Sequence, residues 1–173
     1  MEKPKVLILI GSDSDLPVVE EAVKVLKGAG VGAKLDISSA HRNPEKTIEY
    51  ARRARDDGFE VIIAAAGLAA HLPGVLASHT TLPVIGIPMG GGALGGMDAV
   101  LSILQMPGGV PVATVAIGKA GAKNAALLAI QMLAIKDVKY KACLEAFRKQ
   151  MSAKVLTDAK TVSRYRTQIL DFK

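Results

Sequence analysis

Between Glu60 and Lys119 the chain carries a single formal charge, Asp98. A stretch that apolar is either threaded through lipid or buried in protein. Pro73, Pro83, Pro88, Pro107 and Pro111, together with many glycines, cut it into short pieces. No clean helix of about 20 apolar residues survives, so no membrane span is expected. Buried strands and small-residue helices are expected instead. So much uncharged sequence in a small domain also implies faces covered by further copies of the chain.

The apolar pieces alternate with helical patterns. Val6–Ile10 is a continuous apolar run, as in a strand covered on both faces. Leu16–Lys27 reads as a helix with Asp15 as N-cap, Pro17 in its first turn and Val19, Ala22, Val23 and Leu26 as its buried stripe. Gly28 stops it. Ala33–Ile37, Val61–Ala65, Val84–Ile87 and Val112–Ile117 read as four further strands. Between them fall a helix capped by Asn43 with Pro44 in first position and ending near Gly58, a short one ending near Ser78, and one over Asp98–Leu104. Ala122–Ile135 is alanine-rich and helical, and Asp137 to about Asp158 is a last helix. Strands alternating with helices predict a doubly wound parallel sheet in a single α/β domain over residues 1–173. Residues 1–135 form its core and 136–173 an appended helical arm, with no linker and no solenoid repeat.

Composition narrows the function. The 173 residues are half hydrophobic and 22% charged, which excludes disorder as the main state. There is no Trp, with three Tyr and three Phe, too few aromatics for a platform that stacks nucleic-acid bases. The net charge of +6 concentrates after Lys119, on Lys136, Lys139, Lys141, Arg148, Lys149 and Lys154. These read as a solvated helical face, without a nucleic-acid-binding motif. Cys143 is the only cysteine, so no disulfide framework forms, and a reducing, cytoplasmic compartment is expected. The charged Glu2, Lys3 and Lys5 precede an apolar run too short for a signal peptide.

Open parallel sheets bind ligands beyond the C-terminal ends of their strands. The loops there contain Ser12, Ser14 and Asp15, then Ser39, His41 and Arg42, then Ala70, His71 and Leu72. Ser12 and Ser14 precede a helix N-terminus, where hydroxyls, free N–H groups and the positive helix end suit a phosphate. Ser and Asp also suit ordinary turns and caps. Arg42 in the neighbouring loop adds a planar fork of donors for phosphate, and Asp15 can accept from ribose hydroxyls. His41 is the candidate acid and base, since imidazole changes charge near neutrality. His71 is a second polar contact, while His79 is assigned to structure.

Other signals point nowhere. Gly90-x-Gly92-x-x-Gly95 follows the fourth strand, and no acid stands about 20 residues on, so it is not a dinucleotide fingerprint. A mobile glycine lid or a close backbone approach explains it better. No phosphate-loop lysine motif and no zinc-ligand spacing occurs. Cys143 lies among Ala142, Leu144 and Ala146, a structural setting.

Taken together, Gly11-Ser-Asp-Ser-Asp15, Ser39-Ala-His-Arg42, Ala69-Ala-His-Leu-Pro-Gly74, Leu82-Pro-Val-Ile-Gly86, Gln105–Thr114 and Ala120–Ala129 resemble the PurE family over roughly residues 5–135. The resemblance is to its class I form, the N5-carboxyaminoimidazole ribonucleotide mutases of purine biosynthesis. Class II members, which carboxylate aminoimidazole ribonucleotide with CO2 directly, carry a Gly-Arg-Ser-Asn-like stretch where this chain has Gly67–His71. The resemblance implies a three-layer, flavodoxin-like fold, a homo-octamer and a nucleotide substrate. It implies no metal and no cofactor. It implies that His41 is the general acid and base and that Ser12, Ser14, Asp15, Ser39, Arg42, Ala70, His71 and Leu72 touch substrate. A direct carboxylase and a noncatalytic nucleotide-binding module are the rival readings. One departure stands out. Leu68 occupies a position where the family usually has glycine, close to the ring and CO2 site, and its side chain is a steric problem if that position requires positive φ.

Overall fold

The computed structural model describes residues 3–170, of which 164–170 by backbone alone, so the first two residues and the last three of the expected arm lie outside it. β1 (Val6–Ile10), β2 (Ala33–Ile37), β3 (Val61–Ala66), β4 (Val84–Pro88) and β5 (Ala113–Thr114) form one parallel sheet in the order β2-β1-β3-β4-β5. This is the flavodoxin-like order, whose switch point lies between β1 and β3. The alternation along β1 shows why its run is apolar throughout. Val6, Ile8 and Ile10 pack into one core and Leu7 and Leu9 into the other.

The first core is closed by α1 (Leu16–Gly28) and α5 (Gly118–Ala134). α1 contributes Val19, Ala22 and Leu26, three of the stripe residues expected from the sequence, with Val23 partly buried beside them. α5 contributes Ala122, Ala125, Ala126 and Ala129, whose small side chains let the two helices approach closely. The second core lies under α2 (Pro44–Arg53), α3 (Leu72–Ser78) and α4 (Met97–Leu104), through Ala51, Leu72, Leu76, Ala99 and Ile103. The last helix, α6 (Val138–Leu170), is pinned to the first core by the buried Tyr140. Beyond it, Met151, Val155, Leu156 and Val162 are exposed. Among the described residues no helix is long and apolar enough to cross a membrane.

Three expectations need correction. The fifth strand was expected over Val112–Ile117, but only Ala113 and Thr114 pair with β4. One further bond, from Val115 N–H to the Gly86 carbonyl, extends the contact. β4 then ends at Pro88, which has no N–H to donate. The following helix begins at Gly118 rather than Ala122. Gly121 lies inside this helix, and only glycine fits there, because the Ala116 carbonyl lies 1.6 Å from where a Cβ would stand. Finally, Asp15 stands at the N-cap position of α1 as expected, but its carboxylate accepts no capping N–H from that helix. A short 3-10 turn, Asp13–Asp15, precedes that helix, and its cap is Ser12.

Candidate functional site

The loops after β1, β2, β3 and β4 enclose one cavity of about 570 Å³ at the C-terminal edge of the sheet. Ser12, Ser14, Asp15, Ser39, His41, Arg42, Ala70, His71 and Leu72 all line it. Its size is that of a small-molecule site. The fold explains this convergence, because every β-strand of a parallel sheet delivers its following loop to the same edge.

The β1 loop is a reciprocal cap. The Ser12 hydroxyl accepts from the Ser14 N–H at 3.4 Å, and the Asp15 carboxylate accepts from the Ser12 N–H at 3.2 Å. Burial in the cavity wall pushes the Asp15 carboxyl above its ordinary value, against the lowering effect of the Ser12 and Gly11 backbone donors. Arg42 spans two strands' loops. Its Nε donates to Ser39 Oγ at 3.3 Å and an Nη donates to the Gly11 carbonyl at 3.2 Å. That leaves guanidinium donors beside Ser12 and Ser14, at the entrance to α1. Gly11, Ala40 and Ala66 also line the cavity. The sequence reading missed them, since they have no side chain of chemical character to mark them.

His41 and His71 come from different loops and meet. His41 Nε2 and His71 Nδ1 are 3.0 Å apart, with ring centroids 5.0 Å apart and planes tilted by 49°. One nitrogen must carry the proton and the other the lone pair, so the two rings share one proton across this contact. His71 sits at the start of α3, directly before Leu72, which is buried. His79 lies outside the cavity, against the Ser78 hydroxyl and the Val75 carbonyl. Cys143 is half-buried on α6, with its Sγ 3.9 Å from the Ala29 carbonyl.

The remaining wall is small and apolar: Ala66, Gly67, Leu68 and Ala69 face Met89 and the glycines 90–92. Leu68 has φ +55°, the left-handed conformation that the sequence made a concern. It is the only non-glycine residue among those described with positive φ.

Comparison with known proteins gives a consistent result. The AIR carboxylase family matches residues 5–154. A Pyrococcus horikoshii protein named N5-carboxyaminoimidazole ribonucleotide mutase is 56% identical over 159 residues, covering 92% of this chain and 89% of that one. A Thermotoga maritima protein of the same name is 50% identical over 156 residues, covering 90% of each. Among solved structures, Treponema denticola PurE superposes with a TM-score of 0.82 at 28% identity, over 91% of this chain and 98% of that one.

Proposed function

The chain belongs to the AIR carboxylase family and its activity is that of an N5-carboxyaminoimidazole ribonucleotide mutase in purine biosynthesis, and from that premise we propose how its cavity performs the reaction. The observation that carries the proposal is the placement of His41, paired to His71 at 3.0 Å, in the same cavity as Arg42 and the Ser12 turn.

The substrate's phosphate docks against Ser12, Ser14, Ser39 and Arg42. The hydroxyls, the N–H groups at the entrance to α1 and the guanidinium all present donors there. Asp15 accepts from the ribose. The imidazole then reaches Ala70, His71 and Leu72, which brings its exocyclic nitrogen and C4 to His41.

His41 enters the reaction protonated. As the bond between the exocyclic nitrogen and the carboxyl carbon breaks, its electron pair stays on nitrogen and takes the His41 proton. The carboxylate leaves as CO2. The ring's C4 then attacks CO2, using the ring's own π-electron pair to form the new carbon–carbon bond. His41, now neutral, removes the C4 proton and the ring regains aromaticity. Proton and electrons balance over the cycle, and His41 returns to its starting state. His71 supplies the partner nitrogen that orients His41 between its two tasks. Exclusion of water by the apolar wall keeps CO2 beside the ring rather than hydrated in solvent.

Support for a cytoplasmic homo-octamer comes from the single cysteine, the uncharged middle of the chain and the apolar residues left exposed on α4 and α6.

The test is His41→Asn. It should preserve the circular dichroism spectrum and the binding of a substrate analogue, and lower turnover by roughly 10²–10⁴-fold, the usual worth of a positioned acid–base group. Near-parent turnover would remove His41 from the reaction.

A further inference from the structure

The glycine run after β4 forms one wall of the cavity, through Gly90, Gly91 and Gly92. Hydrogen bonds do little to hold it. The last tie of this segment to the sheet is the Met89 N–H to the Ala66 carbonyl at 2.9 Å. Beyond it, among the described residues, the backbone bonds run within the loop and into α4, from Gly95 N–H to the Gly92 carbonyl at 3.4 Å and from Met97 N–H to the Leu94 carbonyl at 3.1 Å. Glycine-rich backbone left to itself samples many conformations. Packing therefore sets where this wall stands.

That packing is at the neck of the loop. Gly96, at the N-cap of α4, is buried with φ +92°, and a Cβ on it would lie 2.8 Å from the Met89 carbonyl oxygen and 3.0 Å from Gly90 Cα. Both are backbone atoms, so the two ends of the loop close on each other and only glycine fits. One side chain from outside the loop bears on both ends. The Cγ2 methyl of Ile117 lies 3.4 Å from where a Cβ on Gly90 would stand, and 3.3 Å from where one on Gly96 would. That methyl is bonded directly to Cβ, and a β-branched side chain is stiff at χ1, so its place follows from the Ile117 backbone. The backbone is fixed from two directions. Val115 N–H donates to the Gly86 carbonyl of β4 at 3.1 Å, and the Ala116 carbonyl fills the space that a side chain on Gly121 of α5 would need. Ile117 is the N-cap residue of α5 and does not itself line the cavity.

We propose that Ile117 is a positioning residue for the reaction: its Cγ2 methyl clamps the neck of the glycine loop to α5 and the sheet, and so holds the wall of residues 90–92 in register with the ring site. The proposal rests on the mutase reading above and extends it to a residue that touches no substrate. In that reading the phosphate is held by the loops after β1 and β2. Glycines 90–92 instead stand opposite Ala66–Ala69, next to Ala70 and His71, where the carboxyl group changes place. A displaced wall therefore disturbs the carboxyl step and leaves phosphate binding alone. Misplacing a reacting group by about 1 Å can cost about 10²-fold in rate.

The test separates the methyl from mere bulk. Ile117→Val keeps Cγ2 and loses only the end of the side chain. Ile117→Leu keeps the volume and loses the branch at Cβ, and Ile117→Ala loses both. Ile117 is 37% exposed and belongs to neither core, so all three variants should fold, with circular dichroism matching the parent's. Steady-state kinetics on N5-carboxyaminoimidazole ribonucleotide then gives kcat and KM for each. Ile117→Val should turn over within about twofold of the parent, because the stiff methyl stays in place. Ile117→Leu and Ile117→Ala should lose roughly tenfold or more in kcat with KM nearly unchanged. A Leu variant at parental kcat, or a Val variant as slow as the Leu one, overturns the positioning role. So does a Leu variant whose KM rises as steeply as its kcat falls, since that marks general loosening of the site. A parent that does not turn over this substrate overturns the mutase reading instead, and the role of Ile117 with it.

Discussion

Arg42 is held from two strands at once, and that geometry sets what its loss would do. The bond to the Gly11 carbonyl reaches across to the β1 loop, and the bond to Ser39 stays within its own. Both partners are acceptors at fixed positions, so the guanidinium plane is oriented before any ligand arrives. A charge-assisted hydrogen bond contributes about 1.5–3 kcal/mol. Arg42→Ala should therefore raise KM roughly tenfold to a hundredfold while altering kcat far less. Inorganic phosphate should compete with substrate in the parent and compete weakly in the variant. Arg42→Lys should rescue only part of the loss, because an ammonium cannot reproduce a planar fork aimed at two loops. Steady-state kinetics with phosphate as inhibitor decides this. An unchanged KM together with no competition places the phosphate elsewhere.

The β2–loop–α2 unit shows what local chemistry announces and what it conceals. Asn43 followed by Pro44 marks a helix start in the sequence, and in the structure Asn43 Oδ1 accepts from the Lys46 N–H at 3.2 Å. The parallel sheet was legible for the same reason, because its apolar runs and caps are local signals. So was the convergence of Ser12, His41, Arg42 and His71, which follows from the sheet's topology. The contact between His41 and His71 was not, because no periodicity links positions thirty residues apart. Nor was the role of Thr47, which resembles any polar residue on a helix surface. It is fully buried, its hydroxyl 2.8 Å from that of Ser38, also buried at the end of β2. It also donates to the Asn43 carbonyl at 3.3 Å. This pair fastens α2 to the strand end from which Ser39, His41 and Arg42 project. Thr47→Val matches the shape but strands the Ser38 hydroxyl, and a buried unpaired group costs about 1–3 kcal/mol. Chemical denaturation should show that loss as a lower midpoint with an unchanged slope. A variant as stable as the parent would mean that Ser38 finds another partner.

At the scale of the whole molecule, α4 poses the sharpest question. Ala99 and Ile103 bury one side of it in the second core. Met97, Leu101 and Leu104 follow a helical repeat on the other side, and all three are exposed, with Leu94 just ahead of them. A helix apolar on both sides belongs in an interior. Asp98 is its only charge and lies in its first turn, where the helix dipole favours it. β2 adds to the pattern. It is an edge strand with Leu35 and Ile37 exposed, and such an edge invites pairing or coverage. Self-association is the economical way to cover these faces, and α4 ties it to the reaction. The loop that leads into this helix contains glycines 90–92 of the cavity wall, so a partner gripping α4 also steadies the cavity. The chain should therefore sediment as an oligomer, of eight copies on the family's proposed pattern, and Leu101→Glu, which sets a carboxylate in the middle of the exposed stripe, should yield smaller species. Its circular dichroism should match the parent's, since Leu101 takes no part in the core of its own chain. Its KM should rise as the cavity loop loosens, and both effects should diminish at high protein concentration, as mass action requires. Analytical ultracentrifugation alongside kinetics reads the two together. A parent that sediments as a fully active monomer would leave the apolar face of α4 without this explanation, and a Leu101→Glu protein of parental mass would place the contact on another face.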